Sequence, residues 1–175
     1  SYRKLGIQAF IAYNDAWQIW AGMYESEKEA MKDIENIKGK QENIDLCIVS
    51  PNATGVMVVD SKFQPLCAFS SNKSYLLIKP APESDPPVIN IKGKPYRGSL
   101  EVRRPEGGNM TVINIVTMQE YLYGNVPAEI GGKSPAEAIK AQAVASKMYA
   151  INNIGKHAKS GFDLCPTTSC QVYKG

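Results

Sequence analysis

The sequence is poor in the residues that mark the commoner kinds of catalytic centre. It has a single histidine, His157, and four cysteines in 175 residues. A Cys–His nucleophilic pair would therefore lack an evident third group to orient it. There is no phosphate-binding Gly-rich loop, no His-Glu-x-x-His metal helix and no Gly-x-Ser-x-Gly elbow. No apolar run approaches membrane-spanning length. Charge of one sign does not dominate either. Twenty basic side chains face seventeen acidic ones, for a formal net charge of +3. That balance argues against a nucleic-acid partner and leaves an anionic polymer open. An initiator Met and a signal segment are both missing, so the chain reads as a trimmed or mature fragment. The length supports one fair-sized core or two small ones.

The chain reads as an α+β protein of mixed small sheets with a long buried Ala-rich helix. Residues 5–13 and 17–23 have strand character around an Asn14-Asp15 turn. Ser26 and Glu29 have capping-box spacing. Ala30, Met31, Ile34 and Ile37 form one apolar stripe, and Gly39 closes that helix. A strand is expected over 44–49, ending at Pro51-Asn52, then a hairpin of 55–60 and 66–69 about Ser61-Lys62, then a short strand over 75–78. Residues 79–87 contain four prolines in nine positions, too many for a sheet. They are the best internal linker or loop, dividing a small α+β region, 1–78, from a second region, 88–175. In the second region 88–91, 99–102 and the alternating 110–116 read as strands, and 117–124 as a short helix or turn.

The stretch that organises the second region is Tyr121 to Tyr149. Glu129 stands there between a proline turn and two glycines, in a segment expected to be irregular. A helix then starts with Ser134 as N-cap, Pro135 at its first position and Glu137 completing a capping box. Ala136, Ile139, Ala143, Val144, Met148 and Ile151 have helix-packing spacing. The opposite face is also largely alanine, so the helix is expected to be buried. Glu129 has the chemistry of a general acid if partial burial near Tyr121, Tyr123 or Val126 raises its pKa. Two carboxylates are the usual requirement for glycoside cleavage. Glu120 and Glu137 are the local candidates for a second, although Glu120 also suits a turn anchor and Glu137 a cap.

His157 lies eight residues before Cys165, and Cys170 five after it. One imidazole and two thiolates can supply three ligands of a tetrahedral zinc site. A Cys165–Cys170 disulfide and two free buried thiols are equally compatible with the spacing, and Asp163 is a weaker candidate for the same site. Cys47 and Cys67 form a separate pair, open to a cross-strand disulfide in an oxidising compartment. Lys94, Arg97, Arg103 and Arg104 form a basic cluster, either a solvated face or a contact for an acidic polymer. Tyr96, Tyr121 and Tyr123 near it suit sugar stacking or core packing alike.

Several ordered blocks then fall into one pattern. They are Tyr96-Arg97-Gly98-Ser99-Leu100-Glu101-Val102, Thr111-Val112-Ile113-Asn114, and Glu120-Tyr121-Leu122-Tyr123-Gly124-Asn125-Val126-Pro127-Ala128-Glu129-Ile130. Pro135, the run Glu137 to Ala145, Tyr149-Ala150, Asp163-Leu164-Cys165 and Gln171-Val172-Tyr173 continue it. Together they resemble the stage II sporulation protein D / LytB amidase-enhancer family over residues 88–175. The resemblance implies a secreted or membrane-anchored bacterial cell-wall protein. Some such proteins are lytic transglycosylases that cut between N-acetylmuramic acid and N-acetylglucosamine with a 1,6-anhydro product, acting on glycan strands that lack stem peptides. Others enhance N-acetylmuramoyl-L-alanine amidases. On the family pattern Glu129 is the catalytic acid. In a transglycosylase, Tyr96, Arg97, Tyr121, Tyr123 and Lys147 are the candidates for positioning the glycan. His157, Cys165 and Cys170 hold a structural zinc.

The departures are Ser134-Pro135 where the family has Trp-Pro, and Lys147 where it has arginine, which loses the forked geometry. The family domain also continues past the Gln-Val-Tyr-x-Gly block, whereas this chain stops at Gly175, so the domain is expected to be incomplete at its C-terminus. Residues 18–22, followed by a helix, resemble a SPOR-like glycan-binding repeat. A transglycosylase is the leading expectation, and a non-enzymatic wall-binding amidase enhancer the alternative.

Overall fold

A computed structural model of the chain describes residues 8–40, 45–49, 55–70, 74–104 and 108–175. They form a mixed α+β fold of small sheets and several helices, in two compact units. The first unit comprises Ser1–Tyr75 with Arg103–Asn109, and the second Leu76–Val102 with Met110–Gly175.

In the first unit β1 (Ala9–Tyr13) and β2 (Trp17–Ala21) form an antiparallel hairpin about Asp15, which has φ of 54°. β3 (Val56–Val59) and β4 (Pro65–Phe69) form a second hairpin, its turn held by Asp60, whose Oδ1 accepts from Lys62 N and Gln64 N. β4 lies parallel to β1, giving the order β2-β1-β4-β3. A parallel pair needs a long crossover, and α1 (Glu27–Lys38) lies within it. Phe10, Ala12 and Ala68 form the buried cluster, with Trp20 against it. Ser26 caps α1 as its sequence indicates, accepting from Glu29 N at 3.3 Å. Of the expected apolar stripe Ala30 is buried, Ile34 and Ile37 are half-buried, and Met31 is exposed. The strand expected over 44–49 is absent from its described part, 45–49. Residues 5–7 and Pro51-Asn52 lie outside the described residues.

In the second unit β5 (Leu76–Ile78), β8 (Ser99–Arg103) and β9 (Thr111–Ile115) make a sheet in the order β5-β8-β9. β6 (Val88–Ile91) and β7 (Lys94–Arg97) form a hairpin turned by Lys92-Gly93, both at positive φ. The proline-rich residues 79–87 link β5 to β6 inside this unit. Gly98 has φ of 72°, and a Cβ there would lie 2.2 Å from the Ile115 carbonyl oxygen. Only glycine lets β7 pass directly into β8 at that point.

Two helices follow, packed against each other: α2 (Met118–Ile130) and α3 (Ala136–Asn152). Both depart from the sequence expectation. α2 does not stop at Gly124 but runs six residues further, through Pro127. Its start is fixed by a capping box in which Thr117 and Glu120 each accept from the other's backbone N–H. α3 forms where expected but is not a buried helix. Ser146 and Ala150 are its buried residues, while Val144, Met148 and Ile151 are 64%, 52% and 44% exposed. Alanine forms helix by intrinsic propensity whether or not it is covered, so an Ala-rich run carries no burial information by itself. Ser134 does not cap α3 either. Its hydroxyl donates back to the Ile130 carbonyl at 2.7 Å, Pro135 takes the N-cap position, and Glu137 pairs with Lys140 at 2.8 Å.

Candidate functional site

α2 sets the geometry of the site. Residues four apart share a helix face, so Tyr121, Asn125 and Glu129 line up. The C-terminal segment 171–175 runs along that face. Tyr121 donates its hydroxyl to Gln171 Oε1 at 2.5 Å, Asn125 Nδ2 donates to the Val172 carbonyl at 2.8 Å, and Val172 N donates to Glu129 Oε1 at 2.6 Å. Lys174 N reaches the Gly124 carbonyl at 3.2 Å. Gly124 makes this approach possible, because a Cβ there would sit 2.5 Å from the Tyr173 ring and 2.8 Å from the Gly175 carbonyl oxygen. Asn125 is fully buried, and among the described residues its Oδ1 has no hydrogen-bond partner.

Aromatic stacking completes the contact. The rings of Tyr121 and Tyr173 stack with centroids 5.7 Å apart and planes 11° apart, and Tyr96 tilts against Tyr173 at 6.4 Å. Tyr173 donates to Asn114 Oδ1 at 2.7 Å, while Asn114 Nδ2 donates to the carbonyls of Arg97 and Ser99. Asn114 thus joins β9, the β7–β8 corner and the C-terminal segment. Burial pushes the Tyr121 hydroxyl up to about 12, helped by the charge of Glu129 and by Cys170, Tyr149 and Tyr173 nearby. Tyr173 is raised as well, first by burial and then by Glu120 and Tyr96, with Arg97 opposing.

Glu129 lies in the last turn of α2, not in an irregular segment, and it is exposed. The partial burial expected of it is absent. One carboxylate oxygen is used by Val172 N, which leaves Oε2 for a ligand. Neither candidate second carboxylate is free, since Glu120 is in the cap of α2 and Glu137 pairs with Lys140. Tyr123 is two residues from Tyr121 and so about 200° around the helix. It belongs to a different surface, where the Arg97 guanidinium lies 5.4 Å from its ring centroid and Gln119 Nε2 donates to its hydroxyl. Lys147 shares that second surface, an open groove of about 570 Å³ between α2 and α3. The fold thus brings Glu129, Tyr121 and Tyr96 to one face, and Tyr123, Arg97 and Lys147 to another.

Beyond α3 the chain folds back through a 3-10 turn at Ala158–Ser160. Ligand atoms of His157, Cys165 and Cys170 all lie within 4.8 Å of one another, and His157 Nε2 is 3.2 Å from Cys170 Sγ. Zinc–ligand bonds of about 2.0–2.3 Å in a tetrahedron put neighbouring donors about 3.5–3.8 Å apart, so this cluster fits a metal ion with little rearrangement. His157 also stacks on Phe162, with centroids 5.0 Å apart. Asp163 is not part of this cluster; its Oδ1 accepts from Gly155 N at 2.8 Å in the turn leading to His157. All four cysteines are free thiols, so neither the Cys165–Cys170 nor the Cys47–Cys67 disulfide is present. Burial works to raise the Cys170 thiol, but hydrogen bonds from the Cys165 backbone N–H and thiol and from the Lys156 ammonium outweigh it and lower it. Lys156 is itself held by the Tyr149 hydroxyl at 3.0 Å and the Ser169 carbonyl at 2.9 Å. The residue after Cys170 is Gln171, so the cluster anchors the segment that covers the Glu129 face.

Asn114, Asn125, Gln171 and Tyr173 are the site residues to which the sequence assigned no role. Their signal was the uncommon sight of amide and tyrosine side chains amid apolar blocks, which makes sense only once the C-terminal segment is seen on α2.

The fold and the site define a class: a small α+β domain with a helix-borne carboxylate face closed by a Cys/His-anchored C-terminal segment. Residues 106–175 match the SpoIID/LytB family domain, described as stage II sporulation protein. Over 88 residues, half of the chain, the sequence is 42% identical to an uncharacterized protein of Brachyspira hyodysenteriae. The aligned part spans 24% of that relative's length. No solved structure matches. Among the described residues, no helix is long and apolar enough to cross a membrane.

Proposed function

We propose that this chain carries a peptidoglycan-binding domain that stimulates an N-acetylmuramoyl-L-alanine amidase without cutting glycan itself. The family match supports a cell-wall role and an extracytoplasmic location. The observation that carries the choice is the state of Glu129. It is exposed, one of its oxygens is tied to Val172 N, and neither Glu120 nor Glu137 is available beside it. A carboxylate so placed positions the C-terminal segment and offers one oxygen to a sugar hydroxyl. It lacks the apolar surroundings and the partner that glycoside cleavage ordinarily uses. Half-buried Tyr96 and the free Glu129 oxygen form the glycan contact in this reading.

His157, Cys165 and Cys170 would hold a zinc ion. Its contribution is structural cross-linking of the loop after α3, which keeps Gln171 and Val172 against α2. The first region, with its SPOR-like hairpin and helix, is a second glycan contact.

A second reading, lytic transglycosylase, is favoured by one feature: Glu129 sits at the solvent edge, close enough for its charge to raise Tyr121. A lone acid suffices when the muramic acid C6 hydroxyl is the nucleophile, because the acid can protonate the leaving oxygen and then accept the C6 proton. Incubating peptide-free glycan strands with the protein separates the two. The enhancer reading predicts retained strands and no 1,6-anhydro ends, with faster stem-peptide release when an amidase and intact peptidoglycan are supplied. Anhydro ends that disappear with Glu129→Gln would establish the transglycosylase instead.

A further inference from the structure

The groove between α2 and α3 is lined by other α2 side chains than the Tyr121, Asn125 and Glu129 row. Leu122 and Val126 line one wall, Ile139 and Ala143 the other. Its polar lining consists of Tyr123, Gln119 and Lys147, with no acidic side chain among the described residues. Among those residues Lys147 has no carboxylate partner, and Arg97 adds a second positive charge over the Tyr123 ring. Next to the groove, Val144, Met148 and Ile151 continue the apolar surface along α3. Lys140 stands one heptad before Lys147 and pairs with Glu137 at 2.8 Å.

We propose that this groove docks an acidic amphipathic helix of a protein partner, its apolar side chains on Leu122, Val126, Ile139 and Ala143 and its carboxylates on Lys147 and Arg97. The shape and the charge both argue for this occupant. An open trough between two packed helices is the form that takes helical anchors at i, i+3 or i+4, and i+7. A flat bilayer would meet exposed Val144 and Met148 but not the half-buried floor at Ile139 and Ala143. A second copy of this chain in a two-fold pair would bring the same lysines to the same surface, which like charges disfavour. The proposal rests on the enhancer reading only for the partner's identity, an amidase presenting such a helix.

The test uses the full chain and a labelled synthetic helical peptide with leucines at i, i+4 and i+7 flanked by glutamates, alongside a copy in which lysines replace the glutamates. Fluorescence anisotropy is expected to show salt-sensitive binding of the glutamate peptide only. Ala143→Lys, which fills the trough, should weaken it at least tenfold. Lys147→Glu should lose the glutamate peptide and gain the lysine peptide, a reversal that a merely damaged fold would not produce. No binding by the unaltered protein, equal binding of the two peptides, or capture of anionic phosphatidylglycerol vesicles in place of the peptide would overturn the proposal. With purified cell-wall amidase, Ala143→Lys should lose the stimulation while still sedimenting with glycan. Stimulation surviving in Ala143→Lys overturns the groove and leaves the enhancer reading standing. Peptide binding without stimulation by the unaltered protein has the opposite meaning.

Discussion

At the scale of the residue, the site is built from polar side chains used twice over. Tyr121 stacks on Tyr173 and donates to Gln171, while Asn125 holds the Val172 carbonyl and Glu129 the Val172 N–H. These contacts have consequences that can be titrated. Tyr121 is raised from its ordinary value of 10.0 to about 12, by burial first and then by Glu129. A tyrosine raised in the folded state keeps its proton where the unfolded chain loses it. Its contribution to stability is therefore whole below pH 10 and falls as pH rises toward 12. An absorbance titration is expected to show one late-ionising tyrosine fewer in Tyr121→Phe. Tyr24, hydrogen-bonded to Asp33 and raised likewise to about 12, serves as the internal reference. The His157, Cys165 and Cys170 cluster makes a separate prediction. Elemental analysis should find about one zinc per chain, and Cys170→Ser should lose it together with part of the thermal stability. Full retention of stability after chelation would contradict the anchoring role.

At the scale of the element, α2 is where sequence reading was least complete. Gly124 and Pro127 are both helix breakers by propensity, and they suggested a short turn with a loop after it. The structure keeps the helix because neither residue acts as a breaker there. Gly124 is the point of closest approach to the C-terminal segment. Pro127 removes one i→i−4 hydrogen bond, and the helix ends three residues later. The Thr-x-x-Glu signal at Thr117 was present in the sequence and marks the true start. The length of α2 decides the rest, because it sends Tyr121 and Tyr123 to different faces although both were expected to meet one glycan. The meeting of His157, Cys165 and Cys170, by contrast, was legible from spacing, since a short loop leaves its ends little room to part. Two substitutions probe the element. Thr117→Ala should cost about 1 kcal/mol in denaturant unfolding, the usual worth of an N-cap. Gly124→Ala should cost about 1–3 kcal/mol as overpacking, because its Cβ meets backbone and a stacked ring. A neutral Gly124→Ala would show that the C-terminal segment does not lie on α2 as described.

At the scale of the whole molecule, the α+β class with small sheets was readable from alternation and turn residues. The burial of α3 was not, since alanine fits both a covered and an open helix. The same openness leaves an apolar, cationic trough beside the Glu129 face, so the proposed reading gives the second unit one surface for glycan and one for protein. Binding wall and partner on separate surfaces is what an enhancer needs, as holding both raises the local concentration of enzyme at its substrate. The most direct measurement is a paired assay of the unaltered protein and Glu129→Gln on purified peptidoglycan. It scores 1,6-anhydro ends from peptide-free strands and stem-peptide release by an added amidase. The account predicts no anhydro ends with either protein, and amidase stimulation with the unaltered one that is reduced several-fold in Glu129→Gln. Anhydro ends produced by the unaltered protein and abolished by Glu129→Gln would contradict it.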